Sequence, residues 1–168
     1  YAEWQNQLQN SETMKEEEKY WLGLFAGEIP VLNLPTDYPR PKTQSFIGDT
    51  YSFELEANLA SKLREIGQYT NTTIYMLLLS ALNILLAKYS KQDDIIIGSP
   101  IAGRDHADLE NIIGMFVNTL AMRNNPVSDK TYRQFLAEVR ETALLAYAIQ
   151  DYQFEDLAEK LDLNRDMS

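Results

Sequence analysis

The chain has 168 residues, of which 45% are hydrophobic, and this is enough for one domain with a real core. A net charge of −10 argues against a nucleic-acid partner, because phosphate binding needs clustered Lys and Arg. No run of about 18 apolar residues occurs, so no membrane partner is expected. The absence of cysteine excludes disulfides and favours a cytoplasmic protein.

Two helices are predicted at the start of the chain. Trp4 and Leu8 are four residues apart, as on one face of a helix over Ala2 to Gln9. Ser11 is a candidate cap for a second helix. Its predicted buried stripe is Tyr20, Trp21, Leu24 and Phe25. The acidic run from Glu16 to Glu18 is interpreted as a solvated face near the N-terminus of that helix.

The next segment is predicted to be extended. Residues 29–42 hold four of the six prolines and cannot form a helix. A packed connector is favoured over a ligand for a proline-recognition module. Alternation of apolar and polar residues from Thr50 to Glu56 then predicts a half-buried strand, with Tyr51, Phe53 and Leu55 on its buried face.

Two helices follow this strand. Asn58 is a candidate cap for a helix over Leu59 to Gln68, with Leu59, Leu63 and Ile66 inward. Thr72 or Thr73 begins a second helix that runs through Tyr89. Apolar residues cover most of its circumference, so it is expected to be buried on several sides.

The central stretch is predicted to be a strand, a polar loop and a second strand. Ile95 to Ile97 form a β-branched apolar run, with Gly98 and Pro100 marking its end. The chain is polar from Ala102 to Asn111. It turns apolar again over Ile112 to Val117, which leads through Asn118 into the second strand. A polar excursion between two buried segments favours a site at the edge of a sheet.

The remaining pattern predicts helices. A long amphipathic helix runs from Thr131 to Gln150, with Phe135, Val139, Leu144, Leu145 and Ala148 mostly inward, and a short one from Glu155 to Leu161. The order of elements predicts an α/β fold with helices packed on a mixed sheet. Residues 1–168 are expected to form one domain. Its three strands make a thin sheet, and Tyr1 stands in place of an initiator methionine, so we expect a fragment of a larger fold.

The residues alone assemble no self-sufficient active site. His106 is the one histidine, and Asp105, His106 and Asp108 lack a spacing typical of metal ligands. An exposed loop histidine is the favoured interpretation. No GxSxG elbow and no phosphate-binding loop occur. Arg104 is expected to form a local ion pair with Asp108 or Glu110.

Several stretches carry a family resemblance. Ile113 to Arg123, IGMFVNTLAMR, resembles the IGxFVNTLxxR motif of the condensation domains of nonribosomal peptide synthetases. Five further stretches resemble sequences typical of the family. They are Tyr1 to Gln5 (YAxWQ), Ile97 to Arg104 (IGxPxAxR), Gln150 to Glu155 (HQDYPFE), Arg165 to Ser168 (RDxS) and the connector Leu32 to Pro41. Ile149 stands where the family usually has His or Asn, and Gln153 where it usually has Pro, which removes a polar role at position 149.

The resemblance implies a fold and an activity. The family has two lobes like those of chloramphenicol acetyltransferase, with a tunnel between them, and residues 1–168 resemble most of the C-terminal lobe. The family's catalytic HHxxxDG motif is not in this chain and is expected upstream, in the N-terminal lobe. The implied reaction is amide-bond formation between donor and acceptor substrates in the biosynthesis of antibiotics or other secondary metabolites. Peptidyl carrier domains deliver both substrates on phosphopantetheine arms, and no cofactor binds directly.

In this interpretation the chain supplies tunnel wall and floor. The tunnel candidates are Trp4, Ser99, Phe116, Asn118, Thr119, Gln150 and Asp151. For Asn118 the alternative is a bond to neighbouring backbone, since a polar group inside an apolar run must be satisfied. Two other functions stay open: a non-catalytic module that binds carrier proteins, and a lobe of a small-molecule acyltransferase.

Overall fold

A computed structural model describes residues 2–39, 41, 43, 47–104 and 106–162. The helices are α1 (Ala2–Gln9), α2 (Glu12–Leu24), α3 (Ala57–Thr70), α4 (Ile74–Ser90), α5 (Tyr132–Ala148) and α6 (Phe154–Lys160). The strands are β1 (Ile95–Ile101) and β2 (Asn118–Asn124), which pair in a small antiparallel sheet. A short 3-10 turn, Ala107–Leu109, lies between them. The α/β class is confirmed. The sheet of the described residues is antiparallel, where a mixed sheet was predicted, because it has two strands where three were predicted.

The described residues form two compact units. The first unit comprises residues 2–31, 96–124 and 142–162, and the second comprises residues 32–95 and 125–141. Whether the chain is a single lobe stays a prediction. Tyr1, Asp105 and Arg165 to Ser168, which belong to predicted motifs or sites, lie outside the described residues.

The first unit holds nearly all of the two-stranded sheet, helices α1, α2 and α6, and the C-terminal part of α5. Ser11 caps α2 as predicted, its side chain accepting a hydrogen bond from the Met14 amide. Trp21 and Phe25 are buried, whereas Tyr20 and Leu24 are half-buried. Helix α6 packs on β2 and on α2, and α1 packs on α2. The core of the unit includes Met14, Trp21, Phe25, Leu120, Met122, Ala146, Tyr152 and Leu157.

Strand β1 is longer than predicted. Gly98 and Pro100 were expected to end it, but it continues to Ile101. Proline is compatible with this position because β1 has one partner among the described strands, and an edge strand tolerates a missing amide donor. At Gly98 a β-carbon would lie 3.2 Å from Thr119 Cγ2, so glycine permits the close strand pairing.

Three segments predicted from apolar patterns are exposed instead. Residues 50–56 form no strand, and the Tyr51 ring is 89% exposed. Ile112 to Val117 is not part of β2, and Ile113 is fully exposed. In α5, Leu144, Leu145 and Ala148 are exposed where an inward position was predicted. Apolar alternation indicates a face that can be buried, but burial needs a packing partner, and the described residues supply none here.

The second unit is built on α3 and α4, which pack together. Helix α3 begins at Ala57 after Glu56, so Asn58 is not its cap, and Leu59 and Ile66 are exposed although they were predicted to face inward. Thr73 caps α4 as predicted, with its hydroxyl accepting from the Met76 amide at 3.2 Å. The core of this unit includes Met76, Leu77, Leu79, Phe135, Leu136 and Val139.

Helix α4 is buried on one side only, which corrects the prediction of burial on several sides. Its buried face carries Met76, Leu77, Leu79, Ser80 and Asn83. The α4 stripe, by which we mean the exposed residues Ile74, Leu78, Leu82, Leu85 and Tyr89, runs along the opposite side.

No single helix among the described residues is long and apolar enough to cross a membrane. Helices α3 and α4 reach that length and apolarity only together, with a bend of 101° between them.

The α4 stripe is expected to cause self-association of the 168-residue chain, since contiguous exposed apolar surface favours it. Replacing Leu82 and Leu85 by lysine should lower both association in light scattering and binding of a dye specific for apolar surface. Stability should change by less than about 0.5 kcal/mol, because both side chains are near half exposed.

The matched control places two lysines at exposed polar positions of α3, Ser61 and Gln68. It adds the same charge and should leave association unchanged. Equal effects of the two variants, or a monomeric parent chain that binds no dye, would contradict an association through the α4 stripe.

Candidate functional site: the pocket beside residues 149–154

A cavity with a volume of about 620 Å³ lies in the first unit. It is lined by α1, α2, the start of β2, the segment after α5, and α6. Five of the seven predicted tunnel residues line it: Trp4, Phe116, Asn118, Gln150 and Asp151. They come from the three motifs YAxWQ, FVNT and QDYxFE, which are far apart in sequence. The fold therefore brings these three motifs to one place.

The pocket turn, by which we mean residues 149–154, is held by the side chain of Asn118. Asn118 is 4% exposed, and its Nδ2 donates to the carbonyl oxygens of Gln150 and Tyr152, both at 2.9 Å. Its Oδ1 accepts from the Phe154 amide at 3.1 Å and from the Thr119 amide at 2.8 Å. Both donor hydrogens and both acceptor sites of the amide are therefore used. The alternative considered for Asn118, a bond to backbone, is thus observed, and the same residue also lines the pocket.

Helix α2 holds the other side of the pocket turn. The indole Nε1 of Trp21 donates to the Ile149 carbonyl at 3.1 Å, and Glu17 Oε2 accepts from the Tyr152 amide at 3.1 Å. At position 149, where the family usually has a polar side chain, the main-chain carbonyl makes this contact. The pocket turn thus forms hydrogen bonds with side chains from two different elements, α2 and β2, which fixes its main chain.

Glu17 was predicted to lie on a solvated face, and this is wrong. It is 5% exposed, and burial raises the pKa of its carboxyl above the ordinary 4.5. The negative charge of Asp151 raises this pKa further, while hydrogen bonds from the backbone of Tyr152 and Asp151 lower it. The spacing of residues in the sequence does predict the burial of Glu17. Glu17 follows Met14 by three residues and precedes Trp21 by four, so it belongs to the buried helical face.

The rim of the pocket is acidic. Among the described residues, Glu18, Asp151, Asp156 and Glu159 line it together with Lys160. Lys160 Nζ lies 2.5 Å from Glu18 Oε2, and this hydrogen bond is the main cause of the raised pKa of the Lys160 amine. Burial raises the pKa of the Tyr152 phenol, with a smaller contribution from Glu18. The described lining residues therefore carry a net negative charge at neutral pH.

Arg104 fixes the loop that brings Phe116 to the pocket. Its guanidinium donates to the carbonyl oxygens of Leu109 and of Gly114, the latter at 3.0 Å, and lies 4.1 Å from the centre of the Phe116 ring. Gly103 has φ +61°, and a β-carbon there would lie 1.9 Å from the Phe116 carbonyl oxygen. Position 103 therefore requires glycine, because any side chain there would clash with the main chain of Phe116.

The ion pair predicted for Arg104 is therefore wrong. Among the described residues Arg104 pairs with neither Asp108 nor Glu110, because its donors bind main-chain carbonyls of its own loop. Asp108 lies instead beside His106, with 3.4 Å between Oδ2 and Nδ1.

Two predicted tunnel residues lie outside the pocket lining. Ser99 is buried in β1, and Thr119 follows Asn118 in β2 with its Cγ2 near Gly98. His106 is exposed as predicted, and its Nδ1 accepts from the Asp108 amide at 3.2 Å. In the described part of the chain no three His, Cys, Asp or Glu residues are grouped as metal ligands would be.

Comparison with known proteins gives a consistent set of relatives. The family model of the condensation domain matches residues 1–168. Tyrocidine synthase 3 of Brevibacillus parabrevis is 56% identical over 168 residues, which cover 100% of this chain and 3% of that protein. The chain thus spans a small fraction of the relatives that it matches.

Two solved structures are similar in fold. A four-domain nonribosomal peptide synthetase, holo-AB3403 bound to AMP and glycine, superposes with a TM-score of 0.87 at 30% identity, over 94% of this chain and 12% of that one. The X-domain from teicoplanin biosynthesis, in complex with OxyB, gives a TM-score of 0.90 at 28% identity, over 100% of this chain and 38% of that one.

Substitution of Asn118 by alanine is expected to destabilise the chain by about 2–4 kcal/mol, because it leaves several buried main-chain groups of the pocket turn without partners. The free energy of unfolding, measured by denaturant titration, tests this. Asn10→Ala is the control, since Asn10 makes one exposed hydrogen bond. Equal losses of unfolding free energy for the two variants would show that the buried hydrogen bonds of Asn118 stabilise the chain no more than the one exposed hydrogen bond of Asn10.

The buried Glu17 carboxyl should make stability depend on pH. Its pKa is raised on folding, so the folded state holds this proton more tightly than the unfolded state. Its stabilising contribution is fully present below the ordinary pKa of 4.5 and is lost as the pH rises through the higher folded-state pKa. A tenfold tighter hold on the proton in the folded state corresponds to about 1.4 kcal/mol of stability.

Glu17→Gln removes the titrating group and retains an acceptor for the Tyr152 amide. The free energy of unfolding of the parent chain, minus that of Glu17→Gln, should therefore fall as the pH rises from below 4.5. Glu16→Gln, at an exposed position of the same helix, is the control for the substitution itself. If the difference in unfolding free energy between the parent and Glu17→Gln does not change with pH, the raised pKa assigned to the buried Glu17 carboxyl is contradicted.

Proposed function

The chain belongs to the condensation-domain family, and we propose that it is part of a domain that forms an amide bond between donor and acceptor substrates tethered to carrier domains. The observation that carries this proposal is the convergence of the three family motifs on one pocket. Trp4, Asn118 and Asp151 each come from a different motif and line the same cavity. A shared cavity is what a common substrate path through these motifs requires.

In this proposal the chain contributes most of the C-terminal lobe, and the HHxxxDG motif comes from an N-terminal lobe. The supporting facts are the single histidine in the sequence and its place in an exposed loop. Acid–base catalysis needs a positioned group, and the hydrogen bond that the structure describes for His106 is to the amide of its own loop neighbour Asp108. The residues of this chain would then bind and orient, and the proton transfer would occur on the other lobe.

Orientation alone can supply much of the rate. Two phosphopantetheine arms, one from each carrier domain, would bring the acceptor amine to the donor thioester. Holding both in an attack geometry can contribute about 7–11 kcal/mol to lowering the barrier. A rigid wall is needed for this, and the pocket turn, held by Asn118, Trp21 and Glu17, is such a wall.

A second candidate function is a non-catalytic module that binds a partner protein. The observation that favours it is the similarity to the X-domain, which is found in complex with OxyB. In that case the exposed apolar residues would serve a partner, and the pocket would hold no substrate.

The test uses the complete domain that carries this chain, a donor-loaded and an acceptor-loaded carrier domain, and mass spectrometry of the carrier-bound product. The complete domain should form the dipeptidyl carrier, and the 168-residue chain alone should not. Asn118→Ala should slow product formation by on the order of 10- to 100-fold, because it releases the pocket turn. His106→Ala is the control and should be nearly silent.

Product made by the chain alone, or loss of activity in His106→Ala with full activity in Asn118→Ala, would overturn the proposal. A complete, folded domain that binds another protein but forms no product would favour the partner-binding function. Circular dichroism of each variant separates a slower reaction from a lost fold.

A further inference from the structure

Tyr152 has a buried hydroxyl group for which the described part of the chain supplies no hydrogen bond. The residue lines the pocket, 5% of its surface is exposed, and its Oη has no partner of normal hydrogen-bond geometry. A buried phenol hydroxyl usually finds a partner, because leaving it unsatisfied is destabilising. The charged groups that act on this phenol, Glu18, Asp156 and Lys160, line the same pocket. The hydroxyl therefore lies among the polar groups of the cavity, where a ligand would satisfy it.

A primary ammonium of the chain itself already lies beside this hydroxyl. Lys160 Nζ is 2.5 Å from Glu18 Oε2, and its positive charge lowers the pKa of the Tyr152 phenol, against the larger effect of burial. Its contact with the phenol does not reach the geometry of a hydrogen bond. The pocket thus holds an ammonium next to a carboxylate, with an unsatisfied hydroxyl beside it.

This ammonium is not fixed in the pocket. Lys160 is the last residue of α6, and its side chain is 46% exposed, while that of Glu18 is 33% exposed. An ion pair with this exposure contributes little stability, since water competes for both charges. The long lysine side chain can therefore leave Glu18 without unfolding α6, and the ammonium of a ligand can take its place.

We propose that the pocket binds the protonated side-chain amine of a tethered aminoacyl substrate, which displaces Lys160, pairs with Glu18 and donates to the Tyr152 hydroxyl. The substrate class is an amino acid whose side chain ends in a primary amine. This inference rests on the proposed function, because it takes the pocket as part of the substrate path.

The remaining lining suits such a side chain. Among the described residues, Asp156 and Glu159 add two carboxylates, which repel an anionic ligand and attract a cation. Leu8 and Met14 line the same cavity and offer apolar surface for the aliphatic part of the side chain. The amine that attacks a thioester must be unprotonated, so an ammonium site suits the side-chain amine rather than the reacting one.

Binding of two matched ligands to the complete domain tests the inference. The probes are lysyl-pantetheine amide and 2-aminoheptanoyl-pantetheine amide, in which an amide replaces the reactive thioester. Their side chains have equal numbers of non-hydrogen atoms and differ only in the terminal group, an ammonium or a methyl. Calorimetry should show tighter binding of the lysyl probe by on the order of 10-fold, because hydrogen bonds to charged groups are stronger than neutral ones.

Three variants separate the groups that contact the ammonium. Glu18→Gln removes the counter-ion and should abolish the preference for the lysyl probe. Tyr152→Phe keeps the ring and the main-chain hydrogen bonds, and should weaken the lysyl probe several-fold while leaving the other probe unchanged. A purely structural role of the hydroxyl would weaken both probes alike.

The third variant, Lys160→Met, removes the competing amine. It should tighten binding of the lysyl probe by up to about 5-fold, which corresponds to the strength of an exposed ion pair. The matched control is Lys15→Met, since Lys15 forms a comparable pair with Glu12 at 2.6 Å outside the described pocket lining. It should leave both affinities unchanged.

The inference is overturned if the two probes bind equally to the parent domain, if folded Glu18→Gln keeps the preference, or if Lys160→Met weakens the lysyl probe. Circular dichroism of each variant shows whether it is folded, and if Glu18→Gln is not, Lys160→Met decides. If the parent domain forms no product with any loaded carrier, the proposed function fails. The binding preference needs no reaction and still decides the inference, so the two failures are distinguishable.

Discussion

One buried amide group, the side chain of Asn118, determines how the first unit is put together. Strand β2 and the pocket turn are separated by the whole of α5 in sequence, and the Asn118 side chain joins them through three of its hydrogen bonds. Buried carbonyl and amide groups without partners are costly, and the turn has no regular ladder of its own to satisfy them. An asparagine at the first residue of β2 supplies both a donor and an acceptor at this junction.

The rest of the pocket follows from that junction. With the main chain of the turn fixed by β2, α2 can add the Trp21 and Glu17 contacts on the other side. Helix α6 begins directly after the turn, so its start and its packing on β2 are set as well. Arg104 and Gly103 perform a similar function for the segment that ends in Phe116, through main-chain contacts and one close approach. Hydrogen bonds to backbone therefore hold these parts of the cavity wall in place.

Sequence reasoning recovered the elements with strong local signals. The caps at Ser11 and Thr73 and the long helix α5 lie where periodicity and capping residues place them. The polar residue inside an apolar run, Asn118, was also identified as a group that must be satisfied. Its partners in the pocket turn were not, because they lie 32 to 36 residues away and no local pattern encodes that distance.

The errors have a common physical cause. Tyr51, Phe53 and the α4 stripe are apolar and regularly spaced, but spacing shows only that a face could be buried, and the described residues do not cover these faces. The prediction for Glu17 is wrong in the opposite direction. An acidic run next to a helix start is usually solvated, whereas the Met14–Trp21 spacing places Glu17 on the buried face of α2. Polar burial depends on a partner supplied by tertiary structure, here the Tyr152 amide.

The central claim is that Asn118 and Glu17 act on the pocket turn as one unit. A double-mutant cycle on the free energy of unfolding, with Asn118→Ala and Glu17→Leu singly and together, tests it most directly. If both side chains hold the same turn, loss of one already releases it. The double variant should then be less destabilised than the sum of the single losses, by at least about 1 kcal/mol. Additive losses, within about 0.3–0.5 kcal/mol, would show that the two contacts are independent and would contradict the account.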